Sequence, residues 1–275
     1  MVRPPFDALA PWYDAVYAVR GKAHRAEADA ALRAAGHPGL PADVAGTAVP
    51  ISGATEPTLA GETPPPRLLD VACGTGSHLQ WFQCVTRAEG LDAHPDMRRI
   101  AQEKLPGVTI HSGDMRSFRR PDRFDIITCL FASIGYLADH ADLDAAIMTM
   151  GMHLAPGGRL VIQPPLFPAD VQPAEVQHDR ATIGHRVVTR RTTAERNGDV
   201  LHVQFSLTIE AGIDTEIDAG NAAGSEGRPE RHVETHHIRL FAPDDYAAAF
   251  DAAGLAAELV DARGLGRVFV AVSTG

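Results

Sequence analysis

The sequence predicts an α/β protein built on a doubly wound parallel sheet, and three observations carry that prediction. Leu68 to Ala72 form a short apolar run, long enough for a buried strand, that leads straight into Gly74-Thr75-Gly76 and a helix-compatible segment, Ser77 to Gln83. From Leu68 onward strand runs and helix runs alternate, as a parallel sheet with crossover helices requires. After the fifth strand the alternation gives way to β runs alone, which predicts a small antiparallel insertion. A chain of 275 residues buries one substantial core with an insertion, so one domain or at most two.

In chain order, residues 6–35 read as helical, and residues 1–35 as an N-terminal lid ended by Gly36-His37-Pro38. Tyr13 and Tyr17, at i and i+4, share one helix face, either packed on the core or closing over a ligand. Residues 36–66 hold seven prolines and five glycines without an apolar period, so they read as a mobile, dispensable loop. Residues 67–275 form the core. Val85 to Leu91 give a second strand, Pro95 to Lys104 a helix with proline in its first turn, and Val108 to His111 a third strand. Phe124 to Phe131 is the strongest β run. Asp139 to Leu154 are a helix, Pro156-Gly157-Gly158 a turn, and Arg159 to Gln163 the fifth strand. Within the insertion, 169–242, His185 to Arg191, Val200 to Glu210 and Arg231 to Phe241 read as three antiparallel strands, with 211–229 as a hairpin tip. Pro243 to Ala253 return as a helix capped by Gly254, and Leu255 to Asp261 and Val268 to Val272 complete the sheet.

Composition excludes several classes. No run of 18 apolar residues exists, and Met1-Val2-Arg3-Pro4-Pro5 lead into no signal-like core, so a cytoplasmic protein without membrane contact is expected. A net charge of −10 argues against nucleic-acid binding. Cys73, Cys84 and Cys129 show no C-x-x-C spacing and read as reduced thiols.

The glycine turn is where a ligand would approach bare backbone at the carboxyl end of a sheet. Two glycines alone occur in any doubly wound domain. Asp70, however, sets a carboxylate where a pyrophosphate would want only amides, and Leu79 stands where G-x-G-x-x-G needs its third glycine. Asp92, 22 residues beyond Asp70 at the end of the second strand, is placed to accept from a ribose diol. NAD and S-adenosylmethionine both carry a ribose; Asp70 and the missing glycine favour the sulfonium compound. Asp114, after Gly113, is placed either to accept from an adenine amino group, with Met115 on the ring face, or to cap a helix.

Taken with Pro156-Gly157-Gly158, Asp70-Val71-Ala72-Cys73-Gly74-Thr75-Gly76 and Gly113-Asp114-Met115 resemble a class I S-adenosylmethionine-dependent methyltransferase. Trp12-Tyr13-Asp14, Phe131-Ala132-Ser133-Ile134-Gly135-Tyr136-Leu137, Phe167-Pro168, His236-His237-Ile238-Arg239-Leu240-Phe241, Tyr246 and Ala252-Ala253-Gly254-Leu255 narrow the resemblance to the N,N-dimethyltransferases of dTDP-linked 3-aminosugars in macrolide biosynthesis, of the desosamine and mycaminose type. The resemblance implies a seven-stranded Rossmann-like sheet with a small antiparallel insertion, and a homodimer. It implies a cofactor site of Tyr13, Asp70, Ala72, Gly74, Gly76, Asp92, Ala93, Met97, Asp114, Met115 and Leu130. It also implies Ser133, Tyr136, Phe167, Arg239, Arg263 and Arg267 on the acceptor side, with Tyr13 and Tyr136 as catalytic residues; His236, read apart from the resemblance, is either a structural or pocket-lining residue or a catalytic proton acceptor. Two departures bear on the acceptor. Gln163-Pro164-Pro165-Leu166-Phe167-Pro168 replaces the family's Glu-Pro-Trp-Trp-Phe-Pro, removing two rings, and the late Gly-Arg-Gly-Leu-Phe is blurred, so either Arg263 or Arg267 would clamp a pyrophosphate.

Methyl transfer from a sulfonium needs no metal and no covalent nucleophile, only a neutral amine held in line and water excluded. No His-Asp pair announces a strong base, which favours nitrogen over oxygen acceptors. His232 and His236 share a strand face with His237 opposite, but nothing nearby supports a metal there, and no metal is expected. The expected activity is N-methylation, as N,N-dimethylation, of a nucleotide-linked aminosugar in antibiotic biosynthesis. The alternatives are methylation of another small amine or hydroxyl, or a nicotinamide oxidoreductase or nucleotide-binding module.

Overall fold

The computed structural model describes residues 6–19, 23–43, 64–172, 176–211 and 228–273. Most of the 36–66 stretch and of the 211–229 tip lies outside these residues. The chain forms two compact units: Ala23–Val171 with Ile238–Gly275, and Met1–Lys22 with Gln172–His237.

The larger unit holds α2 (His24–Ala34), β1 (Arg67–Val71), α3 (Leu79–Phe82), β2 (Arg87–Asp92), α4 (Pro95–Lys104), β3 (Thr109–Ser112), β4 (Phe124–Cys129), α5 (His140–Met152), β5 (Leu154–Ile162), α6 (Pro243–Ala252), β10 (Leu255–Ala262) and β11 (Gly266–Ser273). Its seven strands run in the order β10-β11-β5-β4-β1-β2-β3. The pairs β1 with β2 and β4, β2 with β3, and β4 with β5 are parallel, while β11 is antiparallel to β5 and β10. Strand order therefore reverses direction beside β1, between β2 and β4, where ligands enter open α/β sheets.

Two apolar layers sandwich this sheet. Leu69, Val71, Ile127 and Phe124 pack with α5 and α6 through Leu143, Ile147, Met150 and Phe250. Leu68, Ile126 and Val161 pack on the other face with Ala28, Leu32, Leu79 and Ala101. A β1 residue and its neighbour thus go to opposite layers, the period of a strand covered on both faces. Asp139 caps α5, its side chain accepting from Asp142 N at 2.9 Å.

The smaller unit holds α1 (Tyr13–Val19), preceded by a 3-10 turn at Ala10–Trp12, and an antiparallel sheet of β6 (Gln177–Ile183), β7 (Arg186–Asn197), β8 (Val200–Ala211) and most of β9 (Glu230–Arg239). Its core joins Leu9 and Val16 to Val188, Phe205, Leu207 and Ile209.

Several expectations need correction. Residues 6–35 are not one helix but a 3-10 turn and two helices, and the second, α2, belongs to the larger unit. Among the described residues the insertion has four strands, not three. β6 escaped because one of its inward positions is Asp179 and the next is only the small Ala181; Arg190 stands opposite Asp179 in the β7 register, so an ion pair fills a core position. Pro156-Gly157-Gly158 is not a turn before β5 but a bulge within it: the register steps from Phe124 opposite Leu154 to Ile126 opposite Arg159. The helix expected over Ser77 to Gln83 is a single turn, Leu79–Phe82.

Candidate active site

The carboxyl ends of β1, β2 and β4 meet where the glycine turn leaves β1. Gly74 and Gly76 have φ of +56° and +78°, the left-handed region that glycine enters without strain. A side-chain carbon added to Gly74 would meet nothing within 4 Å, so bare backbone there faces open space. The turn is tied to the neighbouring strand: Gly74 N donates to Asp92 Oδ2 at 2.8 Å, and Cys73 N to Leu91 O at 3.1 Å. Asp92 Oδ1 accepts from His94 N at 2.7 Å, and Arg98 Nη1 donates to the carbonyls of Asp92 and Ala93.

Two carboxylates are enclosed at this edge. Asp70 is 2% exposed; burial pushes its pKa up to about 7, with the Thr128 hydroxyl, donating at 2.7 Å, opposing and Asp92 reinforcing the rise. Burial also raises Asp92, against the amides of His94 and Gly74. Asp70 forms no ion pair with any described residue. The Cys73 thiol is driven well up by burial and by both acids, which removes it as a nucleophile.

Backbone strain gathers at the same edge. Ala72, Phe131 and Ala132 have φ of 58°, 54° and 59°, the left-handed region that side chains avoid; Ala72 follows β1 directly, and the other two lie just beyond Leu130 at the end of β4. Phe131 N donates to Gln163 Oε1 at 2.7 Å, while Gln163 Nε2 donates to Leu265 O at 2.7 Å. A neutral amide can do both at once, so Gln163 braces the strained turn after β4 against the β10–β11 loop.

Most expected cofactor residues lie on this rim. Ala72, Gly74 and Gly76 form the turn, Asp92 and the exposed Ala93 end β2, Met97 is buried in the first turn of α4, and buried Leu130 follows β4. Asp114 follows β3 and caps a turn rather than a helix: it accepts from Arg116 N at 2.8 Å and pairs with the Arg116 guanidinium, which holds its carboxyl below the usual range. Met115 packs against the core layer of α5.

The acceptor-side expectations divide. Ser133 and Tyr136 stand on a 3-10 turn, Ser133–Tyr136, and Tyr136 is 36% exposed. Phe167 is buried, its ring edge-on to Tyr246 and Phe269, so it shapes the core rather than presenting a free face. Arg239 Nε donates to Ala138 O at 2.5 Å. Arg267 is ion-paired to Asp170 and stacked over Phe167 at 4.5 Å. Arg263 is exposed in the β10–β11 turn and pairs with no acid among the described residues.

Tyr13 and His236 belong to the smaller unit, where both rings meet Phe6, at 6.1 and 4.7 Å. His236 is 1% exposed, wedged between Phe6 and Phe205, with Nε2 3.2 Å from Glu234 Oε2. Tyr17 lies under the Arg190 guanidinium at 4.6 Å, which gives it a packing role. Sequence reasoning missed two positions. Gly90 admits no side chain, since an added carbon would sit 2.6 Å from Leu79 and 2.8 Å from Cys73 Sγ; Gln163 was noted only as part of a departure. A glycine in a buried strand was the available signal for the first.

Fold and site together define a class I methyltransferase-like α/β protein, and the family described as methyltransferase domain matches residues 68–158. The chain is 36% identical over 201 residues to the dTDP-3-amino-3,6-dideoxy-alpha-D-glucopyranose N,N-dimethyltransferase of Streptomyces fradiae, covering 73% of this chain and 74% of that one. It is also 36% identical over 208 residues to the dTDP-3-amino-3,4,6-trideoxy-alpha-D-glucopyranose N,N-dimethyltransferase of Streptomyces venezuelae, covering 74% and 82%. A solved, S-adenosylmethionine-bound amino pentose methyltransferase of calicheamicin biosynthesis from Micromonospora echinaspora superposes with a TM-score of 0.72 at 33% identity, over 96% of this chain and 97% of that one. The chain belongs to the dTDP-aminosugar N,N-dimethyltransferase family.

Proposed function

We propose that this enzyme transfers methyl groups from S-adenosylmethionine to the amino group of a dTDP-linked aminosugar, twice in succession, within antibiotic biosynthesis. The observation that carries the reading is the rim of β1, β2 and β4: bare backbone at Gly74 facing open space, beside two enclosed acids with raised pKa. That donor set fits the cofactor, whose sulfonium supplies an electrophilic methyl carbon. Asp92 is the acceptor for its ribose hydroxyls, Asp114 for its adenine amino group, and Asp70 supplies negative potential that favours a cation. Gly74 keeps the approach clear of side chains, while Gly76 makes room for Ala101 and Leu105 packed behind the turn.

On the acceptor side, Ser133 and Tyr136 orient the amine on the strained turn that Gln163 braces. Their task is to hold a neutral nitrogen within about 3–3.5 Å of the electrophile and to exclude water. The Tyr136 hydroxyl, at the exposed end of that turn, is the proton relay favoured among the expected set. The burial of His236 and its bond to Glu234 favour a structural part for it. Arg263, which pairs with no acid among the described residues, is favoured over Arg267 as the cation for a nucleotide pyrophosphate.

The direct test is mass spectrometry of the enzyme with S-adenosylmethionine and dTDP-3-amino-3,6-dideoxyglucose. A product heavier by two methylene units is expected, passing through one heavier by a single unit. Inertness toward every amino sugar, with turnover of a hydroxyl acceptor, would overturn the acceptor assignment. The assembly expected is a homodimer in the cytoplasm, checked by light scattering in solution. Among the described residues no helix is long and apolar enough to cross a membrane.

A further inference from the structure

The start of α2 and the turn into α3 bring three metal-ligating side chains together. His24 and Glu27 stand at i and i+3 in the first turn of α2, on one face of that helix, and His78 immediately precedes Leu79 of α3. His78 Nε2 lies 3.0 Å and His24 Nδ1 3.4 Å from the same oxygen, Glu27 Oε2. All three donor atoms lie within 4.8 Å of one another. His24 Nδ1 is fully enclosed yet makes no hydrogen bond with any described residue. Leaving such a nitrogen unsatisfied is costly.

We propose that His24, Glu27 and His78 form a divalent transition-metal site, with zinc as its natural occupant. Metal–nitrogen and metal–oxygen bonds of about 2.0–2.2 Å put neighbouring donors of a tetrahedral ion about 3.3 Å apart, close to the two distances here. A cation between the three atoms would satisfy the His24 nitrogen and separate it from the carboxylate. Two imidazoles with one carboxylate select zinc or cobalt over magnesium or calcium, which take oxygen ligands. The three side chains are 10–16% exposed, so the cluster lies close to the protein surface. Because His78 follows Gly76 by two residues, the ion would clasp α2 to the end of the glycine turn. Sequence reading did not find it: His78 is 51 residues from Glu27, and no motif spans that gap.

The experiment needs neither methyl donor nor acceptor. Tag-free, full-length protein is stripped with chelator and titrated with zinc by calorimetry, and with cobalt by visible absorption. One tight equivalent per chain is expected, with cobalt giving the intense bands of a low-coordinate site. His24→Phe and Glu27→Gln should each weaken that equivalent at least ten-fold, while His232→Ala should leave it unchanged. Circular dichroism melts establish that the variants fold. Absence of a tight equivalent in the native chain, or its persistence in both His24→Phe and Glu27→Gln, would reduce the cluster to a hydrogen-bonded brace. If both variants misfold, the cobalt spectrum of the native chain decides, since weak octahedral bands would overturn the proposal.

Discussion

Both units of this protein bury carboxylates, and they treat them in opposite ways. In the smaller unit Asp179 meets the fully buried Arg190 guanidinium at 2.8 and 3.0 Å. Glu234 accepts from the amides of Phe6, Ala8 and Leu9 and lies 3.2 Å from His236 Nε2; burial raises its pKa, but the His236 and backbone bonds outweigh that and hold it low. At the rim of the larger unit, Asp70 has a single hydroxyl partner and no cation among the described residues, and burial pushes its pKa up to about 7. A buried acid with its partners supplied by the chain holds structure together. One left short of positive charge marks where a cationic ligand completes the site.

The largest effect expected on this contrast lies in the smaller unit. Arg190→Met strands Asp179 and should cost on the order of 3–5 kcal/mol, read as a fall in denaturant midpoint. The double variant Arg190→Met with Asp179→Leu should recover most of that loss. A single variant as stable as the native protein would erase the distinction between paired and unpaired acids. Next, Asp92→Ala should weaken S-adenosylmethionine binding by about 1.5–3 kcal/mol through loss of charge-assisted hydrogen bonds, measured by calorimetry. Unchanged affinity would move the ribose away from the end of β2.

Asp70→Asn should act with opposite signs on stability and binding. Above the folded pKa the native residue is an ionised, buried acid, so the neutral isostere should raise the melting temperature of the unliganded protein by a few degrees near pH 8. The same change should lower affinity for the sulfonium donor, and lower stability together with unchanged affinity would remove Asp70 from the site. The smallest expected effect is on pH. Because the folded pKa of Asp70 lies above its unfolded value, its contribution to stability is fully present below the unfolded value and lost as pH rises through about 7. Donor affinity should run the other way, rising several-fold between about pH 6 and pH 8 as the carboxylate ionises. A flat calorimetric profile would separate Asp70 from the donor's charge.

Much of the fold was legible because the larger unit buries both faces of a mostly parallel sheet, so central strands such as β1 and β4 are largely buried, apolar-rich runs and helices fall between them. Pro95–Lys104 matched its expected bounds, with proline opening the helix, and β1 to β4 lay within two residues of theirs at each end. Legibility failed where polar residues took core positions. β6 carries Asp179 inward, and the small Ala181 and Ile183 that share its face make too short an apolar period to announce a strand. The α2 cluster failed for another reason, since its ligands come from segments that only the packed chain brings together.

The sequence by itself determined the class: glycines in a turn after an apolar strand, acids at fixed offsets, and the order of strands and helices are local properties written in residue type. Tertiary structure alone decided which of those groups would be satisfied. Gln163 became a brace between two loops, Arg267 was claimed by Asp170 while Arg263 was left clear, and His236 was shut away against Glu234. The reason is that a hydrogen bond or an ion pair depends on where two groups end up in space, and pairs such as Gln163 with Leu265, 102 residues apart, leave no trace in local pattern.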